Sequence, residues 1–380
     1  MSSLKVNSVV DAAGGNTVTV NGYTPTMSNM AGRNRIINGD MRIDQRNAGA
    51  SVAASPSANT STWGVDRWAV FASVGSKFTM QQNAGLVTPP NGFKNYQGVT
   101  SSSAYTVAAG ETIQLYHNVE GFNVADLAWG TANAQAITVS FWVRSSLTGN
   151  FGGAVTNEAQ NRSYPFLFAI SAANTWEQKT LTIPGDTAGT WNTNNGRGIT
   201  LIFDMGSGAT FKGTAGAWAG SAYYSATGAT SVVGTAGATF FITGVQLEAG
   251  SVATPFEHRQ YGQELALCQR YFYSIRNYMG QGSPYNAEAT GANGWSNGGT
   301  NCYRMKANHP VVMRATPTFT YANVDLWDGN QVAVTSVLNN NSSIYARSID
   351  YNLAGSLAGV GRLTSEFVMP SGFVACSAEL

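Results

Sequence analysis

A chain of 380 residues is long enough for two domains. Only 11% of it is charged, about half the roughly 25% of an ordinary soluble protein, so hydroxyls and amides rather than ions must face water. With 21 Lys and Arg against 20 Asp and Glu, a formal charge of +1, no strong field exists to gather nucleic acid or an anionic membrane surface, and no nucleic-acid partner is expected.

The opening residues Met1 to Val6 lack the apolar stretch of a secretion signal, and no window approaches the roughly 20 apolar residues of a membrane span. Neither that export route nor membrane insertion is expected. Three cysteines, Cys268, Cys302 and Cys376, are an odd number with no close pairing. That argues against a disulfide framework and a four-ligand zinc site, and fits folding in a reducing cytoplasm.

Residues 1–32 alternate short β-type runs (Leu4 and Val6; Val18 and Val20) with the turn signals Gly14-Gly15-Asn16 and Asn21-Gly22. They bury too little apolar surface to fold alone. Order would come from pairing with another chain or with symmetry mates, which predicts an attachment or oligomerisation arm; the plainer reading is a frayed terminus.

From residue 33 to 259 the sequence reads as short strands between Gly/Ser/Thr/Asn-rich loops, the pattern of a β-sandwich. Its clearest strand, Ile137 to Arg144, puts Ile137, Val139, Phe141 and Val143 on one face and Thr138, Ser140, Trp142 and Arg144 on the other. Further strands are predicted at Tyr164 to Ile170, Glu177 to Ile183, Ile199 to Asp204 and Thr239 to Leu247. The Gly/Ala-rich stretch Gly206 to Gly220 is too poor in large apolar groups to make core, Trp218 and the nearby Tyr223-Tyr224 excepted. It must lie over the surface or against a neighbouring subunit.

At Tyr261 the period changes. Tyr261, Leu265, Cys268, Phe272 and Ile275 fall on one helical stripe, with Gln263, Glu264, Gln269 and Arg270 elsewhere, predicting a connecting helix over 260–279 with Cys268 buried on it. Residues 280–380 then read as a smaller β tip domain: a loop-rich stretch from Gly280 to Thr300, followed by strands near Val311 to Met313, Thr318 to Val324, Gln331 to Val337, Ile344 to Tyr351 and Glu366 to Cys376.

Four separated segments carry a family likeness. The run Asn34-Arg35-Ile36-Ile37-Asn38-Gly39-Asp40-Met41-Arg42-Ile43-Asp44-Gln45-Arg46, with Val65-Asp66-Arg67-Trp68, resembles the opening of a recurrent phage tail-fibre domain. The run Ile242-Thr243-Gly244-Val245-Gln246-Leu247-Glu248-Ala249-Gly250, with Ala253 to Glu257, resembles its closing strand. Together with Gln263 to Ser274 and His309 to Thr318, they resemble tailed-phage fibre proteins that pair a carbohydrate-module-like jelly roll with a C-terminal tip. The resemblance implies location in the virion tail, a homotrimer and adhesion, but no known receptor. Residues 1–31 are similar to leader segments that attach to a tail or baseplate protein. The expected contact is a host surface glycan, and the expected place of synthesis is the bacterial host cytoplasm.

Chemistry-bearing patterns are thin. A glycan-cleaving enzyme needs two carboxylates about 5–9.5 Å apart. The candidate acids Asp40, Asp44, Asp66, Glu248 and Glu257 instead alternate with Arg35, Arg42, Arg46, Arg67 and Arg259 in the segments that bound the jelly roll. Ion-paired scaffolding explains them more simply; Glu111 and Glu120 are the other acids considered. His117, His258 and His309 lie far apart, no Gly-x-Ser-x-Gly elbow accompanies them, and the Gly-rich runs carry no phosphate-loop lysine. No catalytic residue, cofactor or metal is expected.

Aromatic residues are the better lead, because sugars are recognised by flat rings and planar polar groups. Trp295, with Tyr278, Tyr285, Asn286, Asn293 and Asn297 nearby, has that mixture in one loop-rich stretch and is the candidate glycan-binding cluster; packing is the competing role for the ring. The expectation is an all-β, non-enzymatic adhesion subunit of a phage tail. A purely structural tail, collar or capsid-decorating part, and a polysaccharide depolymerase, are the rivals.

Overall fold

The computed structural model describes residues 32–276, 288–297, 301–327, 331–355 and 360–380. The predicted N-terminal arm lies outside the described residues, apart from Gly32. The protein is all-β with a single α-helix, α1 (Tyr261–Gln269), among the described residues. It divides into two compact units. One joins residues up to Arg42 with Gly49–Arg259, and the other joins Ile43–Ala48 with Gln260–Leu380. The second unit thus takes in six residues that the sequence places in the sandwich, 43–48.

The first unit is a sandwich of two six-stranded antiparallel sheets. One runs β1 (Val52–Ala53), β4 (Phe78–Gln82), β5 (Gln97–Ser101), β14 (Thr239–Ala249), β7 (Ile137–Ser145) and β10 (Glu177–Ile183). The other runs β2 (Thr60–Trp63), β3 (Ala69–Ala72), β6 (Thr112–Glu120), β11 (Arg197–Ser207), β8 (Gly149–Thr156) and β9 (Ser163–Ile170). Neighbours far apart in sequence, such as β5 beside β14, give the crossed connections of a jelly roll. Between the sheets lie Val139, Phe141 and Val143 of β7 with Phe151, Phe168, Phe203 and Phe240, all buried, as the alternation in the sequence predicts.

Strand β8 went unrecognised in the sequence because Gly149, Gly152 and Gly153 weaken strand propensity. The structure explains two of them. A Cβ on Gly153 would sit 2.5 Å from the Phe166 ring, and one on Gly152 would sit 2.3 Å from Ser225 Oγ. Neighbouring groups already fill the space a side chain would need.

The opening and closing segments of the family likeness meet. Asn34 Oδ1 accepts the Leu247 amide at 3.1 Å and its Nδ2 donates to the Val245 carbonyl at 3.2 Å. Glu257 accepts the Gly32 and Asn34 amides at 2.7 and 2.8 Å, and Arg259 donates to the Ile36 carbonyl at 3.0 Å. Where the Val245 amide reaches the Gly39 carbonyl at 2.9 Å, a Cβ on residue 39 would stand 2.2 Å from the Val245 oxygen, so only glycine fits. These residues fasten the domain's opening to its closing strand.

In the second unit α1 is shorter than predicted. Phe272 and Ile275 belong to a strand, β15 (Phe272–Arg276), and Tyr261 is 58% exposed while Glu264 is buried, so the predicted stripe is not the buried face. Cys268 is buried, as expected. Strands β15, β21 (Val360–Ser377), β16 (Glu288–Asn297), β17 (Asn301–Asn308), β20 (Ala346–Leu353), β19 (Gln331–Asn340) and β18 (Thr318–Trp327) follow one another in a single sheet, and β18 returns to pair with β21. Six strands therefore close into an antiparallel ring, with β15 taking the far end of β21. Closure removes free edges, and a ring this small is filled by side chains, here Leu326, Ile349, Tyr351 and Leu353. Asn323, at φ 48° in β18, marks the bulge between Ala322 and Val324 that resets the alternation so that Val324 and Leu326 are both buried. Val311–Met313, predicted as a strand, is irregular.

Candidate functional site

Trp295, Asn293 and Asn297 do not lie in a loop. They belong to β16, where the backbone of Trp295 pairs with Tyr303 of β17 and with Leu363 of β21. The sequence Glu-Ala-Thr-Gly-Ala-Asn-Gly-Trp-Ser-Asn has poor strand propensity, but a ladder on both sides compensates for it. Tyr278, Tyr285 and Asn286 lie outside the described residues.

A cleft of about 410 Å³ opens elsewhere, over the loop that follows β11. Lys212, Gly213, Thr214, Trp218, Tyr223 and Thr227 line it, and no carboxylate does so among the described residues. Its volume falls within the roughly 300–1,000 Å³ of small-ligand sites. Two short strands, β12 (Lys212–Gly213) and β13 (Ser225–Ala226), pair in parallel beneath it, and the Thr227 amide donates to the Gly213 carbonyl at 2.9 Å. The loop also covers β9, the edge of its sheet. Ser163 and Ala219 exchange backbone hydrogen bonds of 3.0 and 2.8 Å, and the Gly216 amide reaches the Pro165 carbonyl at 2.9 Å. A proline is tolerated in β9 because that strand is an edge.

The rings of the cleft are held from behind. Trp218 meets Trp129 at 5.3 Å, Trp191 at 5.6 Å and Tyr164 at 5.2 Å, each edge to face, and its indole N–H donates to the Pro184 carbonyl at 2.9 Å. Trp129 and Trp191 are buried in the main core, whereas Trp218 is half-buried. The Tyr223 ring rests on Gly213, where a Cβ would come within 2.4 Å of it. Locked rings beside hydroxyls and an ammonium are suited to binding, because little side-chain entropy is left to lose.

Several of the acids considered as catalytic candidates have partners outside the cleft. Asp40 pairs with Arg42 at 2.7 Å and Glu257 lies 4.0 Å from Arg259, while Glu248 accepts the Thr254 amide and hydroxyl at 2.9 and 2.7 Å. Arg35 pairs with Asp126 and Arg46 with Glu379, both distant in sequence. Backbone and Tyr105 hydrogen bonds hold Glu111 below the usual carboxylate range. Burial pushes Asp204, beneath the cleft loop, upward. The same cause pushes the His117 and His309 imidazoles down. Among the described residues no group of three or more His, Cys, Asp or Glu is placed to hold a metal, and no helix is long and apolar enough to cross a membrane.

No family model matches the sequence, and no curated protein does so. Solved structures that share part of its geometry include the enzymatically active domain of tailspike protein 4 of bacteriophage CBA120, at 10% identity and a TM-score of 0.29, covering 57% of this chain and 21% of that one. A family 11 carbohydrate-binding module of a cellulosomal cellulase of Clostridium thermocellum is similar at 12% identity and a TM-score of 0.26, covering 56% of this chain and all of the module. The N-terminal cellulose-binding domain of a Cellulomonas fimi β-1,4-glucanase is similar at 10% identity and a TM-score of 0.23, covering 42% and 80%. The match thus spans about a fifth of the tailspike chain.

The sequence contained a signal for the cleft: Trp218 and Tyr223 stand out as large rings in a loop otherwise too small to pack. It contained nothing to show that the loop folds back onto β9.

Proposed function

We propose that this protein is a non-enzymatic adhesion subunit of a tailed-phage virion, a tail-fibre or tail-tip protein that binds host-surface glycan through the cleft on its sandwich. The cleft carries this reading. A fixed indole and a phenol ring offer flat apolar surface, and Thr214, Thr227 and Lys212 offer polar groups at its margin. Phage identity, location in the tail and the homotrimer rest on the motif likeness of the four segments, as does an N-terminal arm docked on a tail or baseplate protein. Weak single sites suit such a role, because several copies per fibre raise avidity far above one site's affinity.

The test is a glycan array probed with the full-length chain, alongside Trp218→Ala and Tyr223→Ala variants and light scattering for the oligomer. Binding by the parent and loss in both variants, with unchanged unfolding curves for Tyr223→Ala, is the expected result. A chain that binds no glycan, or one whose binding survives both substitutions, overturns the cleft as the contact surface. Cleavage of a bound polysaccharide would instead favour a depolymerase.

A further inference from the structure

We infer that the saccharide this cleft selects is acidic, carrying a carboxylate that Lys212 receives; the inference rests on the cleft being the glycan site. Lys212 is the one charged group among the described lining residues. Its Nζ donates only a long hydrogen bond, 3.4 Å to the Ala229 carbonyl, and an ammonium has three N–H donors. Among the described residues no carboxylate lies within ion-pair distance of it. Asp204, which feels its charge, is fully buried below the loop, where Gly206 N and Ser207 Oγ each donate to Oδ1 at 2.8 Å. That carboxyl does not open into the cleft.

The backbone that carries the lysine is also held in place, fixed by the pairing of β12 with β13. On one side of it the Tyr224 amide donates to the Phe211 carbonyl at 2.9 Å, and those two rings stack at 5.0 Å. On the other side Gly213 carries the Tyr223 ring. A stacked sugar would therefore present a substituent near a cation carried on a fixed backbone. A neutral pyranose could offer that cation only uncharged oxygens, whereas a carboxylate would form a hydrogen bond charged on both sides, stronger than one to a neutral oxygen. Partly enclosed by Trp218 and Tyr223, the pair is screened less by salt than an open surface pair.

The measurement is indole and amide NMR titration of the full-length chain with uronic-acid oligosaccharides and with the same oligosaccharides after carboxyl reduction, at low and raised salt. The acidic forms should bind about tenfold tighter or better, equivalent to about 1.4 kcal/mol, with the Trp218 indole signal moving. Lys212→Gln should abolish the preference by lowering the affinity for the acidic forms to that for the reduced ones. Equal affinity for the two forms, or a preference that persists in Lys212→Gln, overturns the acidic class and leaves the cleft as a neutral-glycan site. If no oligosaccharide moves the Trp218 signal, the cleft reading falls with it.

Discussion

Arg162 grips Asp186 with both arms of its guanidinium, Nε donating to Oδ2 at 2.7 Å and Nη2 to Oδ1 at 2.6 Å. Asp186 is buried, and its partnership raises the arginine's pKa further. The pair ties the start of β9 to the turn whose Pro184 carbonyl holds the Trp218 indole. The ion pair and the cleft ring therefore share one support.

Replacing that acid by Asp186→Asn leaves the shape and removes the charge. Hydrogen bonds to charged groups are worth about 1.5–3 kcal/mol, so the variant should lose roughly that much stability in urea unfolding, and its Trp218 indole resonance should broaden or shift. Parent-like stability would show that solvent screens the pair.

Gly213→Ala tests the cleft from its floor. The new Cβ would stand 2.4 Å from Tyr223 Cδ2 and 3.0 Å from Pro165 Cγ, so the tyrosine ring must move. Overpacking of this kind costs about 1–3 kcal/mol. Glycan binding should fall by more than the small change in unfolding midpoint explains, and retained affinity would remove Tyr223 from the contact surface.

Acid should weaken the sandwich through His117. Its ring lies buried 5.0 Å from Trp68, with Nε2 3.1 Å from the Ile37 carbonyl. Burial first, then the charge of Arg67, holds its pKa well below the ordinary 6.5. As pH falls below that ordinary value the unfolded chain takes up a proton that the folded chain refuses, so stability is complete above it and is lost as pH falls toward the folded pKa. Urea midpoints measured across that range should drop more steeply for the parent than for His117→Gln; parallel curves would refute this.

In the second unit, Arg46 pairs with Glu379 at 2.8 Å and lies 3.6 Å above the Phe272 ring, while Gln45 donates to the Phe272 carbonyl at 3.0 Å. Residues 43–48 thus strap the ends of a unit whose other residues begin at Gln260. Arg46→Ala removes the pair and the ring contact together and should cost about 2 kcal/mol. Proteolysis should then cut sooner between residues 260 and 380, and an unchanged cutting rate would make the strap dispensable.

Much of the fold was legible locally. Alternation in Ile137 to Ser145 and the pattern of Glu177 to Ile183 name strands without reference to anything distant, because one buried face imposes a period of two. The boundary motifs around Asn34 and Leu247 were visible too, although two of their arginines also reach acids outside them: Arg35 pairs with Asp126 and Arg46 with Glu379.

What the sequence by itself determined was the strand class, the low-charge surface and the presence of large rings in loops that cannot pack them, since propensity, period and composition are properties of neighbouring residues. Only the tertiary structure decided that the Gly-rich segments at Gly149–Thr156 and Glu288–Asn297 are strands, because ladders to partner strands on both sides supply what glycine lacks. It also decided that Trp218 stands in a cleft with Tyr223 and Lys212, and that the backbone of Trp295 runs in a strand. That cleft exists because a loop returns to the edge of β9, and edge pairing between distant residues leaves no local mark.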